Sequence, residues 1–449
     1  MIDKKSVFLK VVSKLTDDKK TKSDQPIIHK CRVIKTILIK LLTSAILPYL
    51  LFHGFSHATE YKINGILDLR AVSNDGINSY LEGGHGKYRF NETDQLSLSH
   101  LGVDFKIDWE NNYSFHAVAN GYSDRTNDGI GISEAYLQYK GLPFGSGLRY
   151  QYRVGMLYPR VSMENIGRAW SSPYSLSYST LNGWIGEEFR YLGFENRLVR
   201  LGKLNQSAYD FELGIALMTH NDPAGAMLAW HGWVMTSRQS LWNESLIIPD
   251  FPARENTLLR NQAAESEPFL ELDDRIGYHV TGEVKKTGKG NLFLGKYDNQ
   301  ADPKVVKNGQ WGWRTAFDHI GIKMKISKRL QFIGQFLKGH TLMQSPAGQD
   351  LVKNDYQSGF VMLSYNMAPH RFTTRLEEFS ITDNDNIIGD NNQEYGKAAT
   401  FSYAYRIQRE WVLHLENNWI QSHRYARHYH HLPVELIERQ WQVGVRYYF

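Results

Sequence analysis

The segment WQVGVRYYF, residues 441–449, repeats every second residue. Trp441, Val443, Val445, Tyr447 and Phe449 form an apolar series, and Gln442, Gly444, Arg446 and Tyr448 interleave with it. Successive side chains of a strand point to opposite faces, so this is a strand with one apolar and one polar face. Its last residue, Phe449, still belongs to the apolar face. On a soluble edge strand a terminal Phe would fray, and a Trp at one end with Tyr and Phe at the other is an unusual way to meet a protein core.

The composition of the 449-residue chain, 42% hydrophobic with a mean hydropathy of −0.45, would also fit two or three soluble domains. A helical membrane protein is excluded, because outside one N-terminal stretch no run approaches the roughly 18 apolar residues that a spanning helix needs. Aromatic content is 13%, with 26 Tyr and 11 Trp, while Pro is scarce at 13 and there is one Cys. That profile is rich in strands.

The N-terminal stretch, TILIKLLTSAILPYLLFHGFSHATEY, follows Lys30, Arg32 and Lys35, with Lys40 inside it. A basic region, an apolar core of secretory length and the small-residue site Ser56-His57-Ala58 predict a signal peptide over residues 1–58, cleaved before Thr59. The competing reading, a membrane anchor, is disfavoured by Pro48 inside a core already shorter than the ~20 residues of a span. The leader is long and polar, and no Met lies between Met1 and Met156, so a start at a non-Met codon such as that of Val33 is also considered. Residues 1–58 hold eleven Lys and Arg against four Asp, and their removal takes the formal net charge from +5 to −2. A nucleic-acid reading of the basic pI therefore falls away. Cys31 leaves with the leader, so no disulfide staples the exported chain.

Alternation recurs at strand length. Leu101, Val103, Phe105 and Ile107 alternate with Gly102, Asp104, Lys106 and Asp108, and Phe401, Tyr403, Tyr405 and Ile407 alternate with Thr400, Ser402, Ala404 and Arg406. In a soluble sandwich the inward face must be apolar, whereas here the polar series carries charge in strand after strand, as in an inside-out barrel. Connections support this. Tight turns at Ser327-Lys328-Arg329, Ala368-Pro369-His370, Gln408-Arg409-Glu410 and Thr287-Gly288-Lys289-Gly290 alternate with long loops near 299–312, 341–356, 382–395 and 422–437. Outer-membrane barrels alternate short periplasmic turns and long outer loops in this way.

GAMLAWHGWVM, residues 225–235, looks like a further strand, but Asn221-Asp222-Pro223 before it predicts a helix start, so it reads as a short helix inside a loop over 220–273. Sixteen strands remain, near 61–70, 96–108, 113–122, 131–140, 149–157, 187–195, 208–218, 275–285, 291–298, 314–326, 330–340, 358–367, 371–381, 397–408, 410–420 and 438–449. The expected fold is all-β, a transmembrane antiparallel up-and-down barrel over residues 59–449.

The closing series Trp441, Val443, Val445, Tyr447 and Phe449 resembles the last strand of Gram-negative outer-membrane proteins. In that group the final aromatic residue is the address read by the barrel-assembly machinery, which implies that role for Phe449. Sixteen strands, a secretory leader and an elaborate loop after the fifth strand resemble the trimeric porins, general or phosphate-selective. The resemblance is one of layout over the whole mature chain, and no subfamily motif is matched. It implies an outer-membrane location, contact with outer-membrane lipid and lipopolysaccharide, small hydrophilic solutes as cargo and a homotrimer.

The inward positions so assigned carry fourteen cations, among them Lys106, Arg153, Arg190, Arg275, Arg375 and Arg446, against ten acids, among them Asp68, Asp104, Glu188, Glu377 and Glu416. Such charges set ion selectivity or, equally, brace the wall as salt bridges. In porins the loop after the fifth strand folds inward, so YPRVSMENIGRAWSSPYSLSYSTLNGWIG, within a constriction loop at 157–186, is the expected eyelet. It carries Arg160, Arg168, Trp170, Tyr174, Tyr178 and Trp184. The rings would offer a sliding surface to sugars and the arginines would hold carboxylate or phosphate groups; alternatively the rings belong to a membrane girdle. Should the eyelet lie elsewhere, Arg254, Arg260, Trp230, Trp233 and Trp242 of the 220–273 loop are the next candidates.

Two clusters suggest metal chemistry without supporting it. SHRYARHYHH, residues 422–431, has His423, His428, His430 and His431 but no carboxylate. DNDNIIGDNNQE, residues 383–394, imitates a calcium loop, yet Ile387 and Ile388 occupy the fifth-ligand and Gly positions. No metal, cofactor or nucleic-acid partner is expected. With no Gly-x-Ser-x-Gly elbow, no catalytic residue is assigned. The expectation is a passive, non-enzymatic channel of weak anion preference, with an outer-membrane enzyme and a surface adhesin or structural barrel without an open pore as alternatives.

Overall fold

The computed structural model describes residues 58–91, 95–124, 129–145, 147–256 and 258–449. The leader expected at 1–58 therefore lies outside the described residues except for Ala58. Sixteen antiparallel strands close into one barrel: β1 (Ala58–Asn74), β2 (Gln95–Trp109), β3 (Tyr113–Tyr122), β4 (Gly129–Lys140), β5 (Leu148–Leu157), β6 (Tyr191–Arg200), β7 (Tyr209–Thr219), β8 (Gly277–Lys286), β9 (Gly290–Asp298), β10 (Arg314–Lys325), β11 (Leu330–Gln344), β12 (Asp350–Met367), β13 (His370–Asp383), β14 (Glu394–Arg406), β15 (Trp411–Arg424) and β16 (Glu435–Tyr448). Each strand pairs with its sequence neighbours, and β16 returns to β1 from Ile66↔Tyr448 to Asn74↔Gln440. Gly65 and Phe449 add a last rung, with N–H···O distances of 2.9 and 3.2 Å. Closure leaves no strand edge unpaired, the condition for crossing hydrocarbon with sheet.

The outward series forms an apolar wall. Leu213, Ile215, Leu294, Ile320, Val361, Leu363, Leu376, Phe401, Leu415 and Val443 are all exposed on it. Toward the tight turns the wall ends in rings, including Trp411 against Tyr447 at 4.6 Å and Phe372 against Tyr403 at 5.1 Å. An apolar belt with an aromatic rim is what a bilayer demands of a barrel's outer surface. No described helix is long and apolar enough to cross a membrane; the strands make the crossing.

Several expected boundaries shift. Residues 180–188 form helix α1 (Thr180–Glu188), because the Ser179 side chain accepts from the Asn182 N–H and starts a helix where a sixth strand from 187 was expected. Glu188 therefore closes a helix and Arg190 precedes β6, so neither is an inward strand residue, and Arg275 lies ahead of β8. The helix expected over 225–235 is shorter, α2 (Ala226–Trp230), and follows Gly225 at φ 110° rather than starting at Asn221-Asp222-Pro223. The 341–356 loop is mostly strand, since β11 and β12 pair from Met343↔Val352 downward. The loop after β5 spans 158–190 and the loop after β7 spans 220–276.

Candidate functional site

Among the described residues, three stretches on the long-loop side turn into the barrel: 75–91, 158–190 and 220–256 with 258–276. The second is tied to the wall by side chains that the strand pattern aims inward. Gln335 of β11 accepts from the Met163 N–H at 3.0 Å and donates to the Val161 carbonyl at 3.1 Å. Glu416 of β15 accepts from the N–H groups of Leu176 and Ser177 at 2.6 and 2.9 Å. Glu377 of β13 accepts from Thr180 N–H at 2.7 Å, and Asp104 of β2 accepts from Ala169 N–H at 3.0 Å. Where Ala169 meets β2, Ala169 and Trp170 adopt φ of 47° and 60°, a left-handed conformation costly for residues with a Cβ. The inward acids thus satisfy loop N–H groups that would otherwise be buried without partners.

Buried cations complete these ties. Arg375 is fully buried and bridges Glu377 at 2.7 Å and Glu164 at 3.1 Å. Asp68 holds Arg70 and Arg446 at 2.7 Å each, and Arg446 donates to the Ser172 carbonyl at 2.8 Å. Arg424 bonds Glu394 at 3.1 Å and donates to the Ala229 and Trp230 carbonyls, capping the end of α2. Lys87, from the first inturned connection, reaches the same Glu394. Burial, with Arg424 and Arg427 nearby, pulls the Lys87 ammonium down to about 7 despite that carboxylate.

Between these ties lies an aromatic core. Trp184 of α1 meets Trp233 at 5.4 Å and Tyr356 of β12 at 4.9 Å, both edge-on. Phe189 meets Phe317 of β10 at 5.2 Å, which stacks on Tyr297 of β9 at 4.8 Å. Trp184, Trp233, Phe189 and Tyr297 are at most 1% exposed, so loop and wall close-pack across this part of the lumen. Glu188 is sealed in the same core. Burial and neighbouring Glu187 push its carboxyl up to about 7, while it accepts from the Trp184 indole and the Met227 N–H.

The residues expected at an eyelet separate. Arg160 pairs with Glu212 and Glu283 of the wall. Arg168 donates to the main-chain oxygens of Gly65 and Phe449. Trp170 stacks on Tyr158 at 5.8 Å and meets Tyr178 edge-on at 5.3 Å. Tyr174 bonds Gln331 at 3.2 Å. Tyr178 and Trp184 are buried. Arg153 pairs with Glu195 at 2.6 Å, and Lys106 with Asp108 at 2.5 Å. Arg190 lies over the Phe269 ring at 3.8 Å and donates to the Ser240 carbonyl at 2.8 Å. Among the assembly-signal residues, the Phe449 ring sits over Gly65, where an added Cβ would fall 2.1 Å from it. Val443 and Trp441 face outward and Trp411 packs against Tyr447 at a tilt.

Among the described residues, two luminal spaces lie toward the tight turns. A cavity of about 980 Å³ lies on the outer wall along β11–β16, but the lumen itself holds one of about 580 Å³ and one of about 440 Å³. Seven Lys and Arg, among them Arg160, Lys285 and Lys323, line the 580 Å³ space against Glu134 and Glu283. The 440 Å³ cleft is lined by Arg168, Arg371, Arg406 and Arg409 with no carboxylate. Sequence reading reached Arg371 and Arg406 as inward positions, but Arg409 stood in a turn whose only evident role was to be tight. The inturned 75–91 stretch was also missed; Gly83, Gly84 and Gly86 around His85 were its one local sign of a compact turn.

No family model matches the chain, and no curated protein is similar to it in sequence. Solved structures share its fold. The outer membrane channel DcaP of Acinetobacter baumannii aligns over 87% of this chain and 97% of its own, at 9% identity and a TM-score of 0.50. The anion-selective porin from Comamonas acidovorans aligns over 87% and 99%, at 12% identity and 0.49. Outer-membrane expressed OmpT of Vibrio cholerae aligns over 88% and 99%, at 9% identity and 0.48. The likeness to the outer membrane channel DcaP is one of fold.

Proposed function

We propose that the chain is a channel of the Gram-negative outer membrane, passing small hydrophilic solutes and preferring anions, without enzymatic activity. A sixteen-stranded barrel is wide enough to hold an aqueous lumen. The observation that carries the reading is the charge of the two luminal spaces beside the tight turns, where Lys and Arg far outnumber acids. Fixed charge of one sign in a narrow, low-dielectric passage raises the local concentration of the opposite ion. The tight turns face the periplasm, as short turns do in such barrels. Export by a leader ending at Ala58, membrane assembly addressed by Phe449, contact with lipopolysaccharide and a homotrimeric state belong to the same proposal.

The packing of Trp184, Trp233 and Phe189 favours a second reading, a structural or adhesive barrel whose lumen stays shut. Purified protein in a planar bilayer separates the two. Discrete conductance steps with an anion-side reversal potential in a salt gradient are expected of the channel, and changing Arg160 and Arg168 together to Gln should move that potential toward cations. A folded barrel giving no steps would favour the second reading.

A further inference from the structure

The 440 Å³ cleft lies where the inturned 158–190 connection comes down beside the turns after β12 and β14. Its charged lining is Arg168, Arg371, Arg406 and Arg409. Among the described residues none of the four forms an ion pair with an Asp or Glu side chain. Three of them bond main chain through one Nη: Arg168 to the oxygens of Gly65 and Phe449, Arg371 to Pro173, and Arg406 to the Arg409 carbonyl at 2.8 Å. By contrast, the fully buried Arg70, Arg375 and Arg446 are each answered by a carboxylate, whereas Arg168 and Arg371 are half-buried and Arg406 and Arg409 exposed. Arg371, Arg406 and Arg409 gather with no Asp or Glu in the cleft's lining, and an anion would relieve their mutual repulsion.

His414 of β15 supplies an independent sign. It lines the same cleft, is 2% exposed, and both of its ring nitrogens lack a hydrogen-bond partner. A buried imidazole with two idle nitrogens is costly unless something polar completes it. On the loop side of the cleft Leu176 lies against Gly444, and Arg446 joins Asp68 to the Ser172 carbonyl. We propose that this pocket binds a small polyvalent oxyanion, a solute bearing phosphate or several carboxylate groups, which the planar arginine forks grip and His414 meets at the floor. The proposal builds on the anion preference put forward above, but concerns occupancy rather than current.

Calorimetric titration of the folded protein in detergent, with inorganic phosphate, pyrophosphate and citrate as separate probes, tests it. Saturable binding is expected, tighter for pyrophosphate or citrate than for phosphate and weaker as salt screens the site. Arg371→Gln with Arg409→Gln should weaken it about tenfold or more. Arg409→Gln alone, at an exposed turn position whose carbonyl bond to Arg406 the substitution keeps, should weaken it in the same direction. Arg275→Gln, whose arginine pairs with Asp302 at 2.7 Å away from the cleft, should leave it unchanged. No saturable heat with any probe, or binding that the cleft variants do not alter, overturns the proposal. Binding without bilayer conductance would leave this site standing while the channel reading fell.

Discussion

Arg375 and Glu164 lie 211 positions apart in the chain and 3.1 Å apart in the folded barrel. Both are fully buried, and Arg375 also serves Glu377 and the carbonyls of Ser177 and Tyr178. Wall and inturned connection are therefore one hydrogen-bonded unit. Arg375→Gln leaves Glu164 and Glu377 as uncompensated buried charges and should cost about 3–5 kcal/mol. Urea titration of the folded protein would report the loss. An unchanged midpoint would mean that the connection is not anchored through this pair.

Phe449 needs the bare backbone of Gly65 beneath its ring. Changing Phe449 to Asp should leave export intact and reduce the yield of folded barrel. Gly65→Val should do the same by filling the seat. Heat-modifiable gel mobility measures both, and a normal folded fraction in either variant would separate this contact from assembly.

Val443 and Leu363 are 49% and 46% exposed on the apolar wall. Arg at either position should cost roughly 2–4 kcal/mol in a folding titration into lipid, if it lies near the midplane. Their inward neighbours behave differently for stated reasons. Ser364 bonds Thr373 at 3.1 Å and should accept Thr, whereas a Cβ on Gly444 would come within 3.2 Å of Leu176, so only a small residue should fit there. Equal penalties on the two faces would contradict the register.

Glu188 gives a pH dependence. Its folded carboxyl titrates at about 7, above the ordinary value of 4.5, so the folded state binds the proton more tightly. The stability this contributes is complete at pH below 4.5 and is lost as pH rises through 7, by an amount of order 3 kcal/mol. Glu188→Gln keeps the acceptor for the Trp184 indole and should flatten that fall. Unfolding midpoints of both proteins on either side of this window give the comparison, and parallel curves would remove Glu188 as the source.

Strand count, most faces and the closing strand that ends at Phe449 were legible in the sequence, because alternation is local and each residue's face follows from its parity. In β13, Phe372, Thr374 and Leu376 face out and Thr373, Arg375 and Glu377 face in, as the pattern reads. Helix α1 was less legible, since its start rests on one Ser179 hydroxyl. That Glu416 accepts from Leu176, that Arg375 reaches Glu164, and that Trp184 meets Trp233 depended on which segments the closed wall brings together. Parity aims a charge into the lumen but does not name its partner. The partner comes from a connection dozens to hundreds of residues away, chosen because each loop N–H and each inward charge must be satisfied once water is excluded.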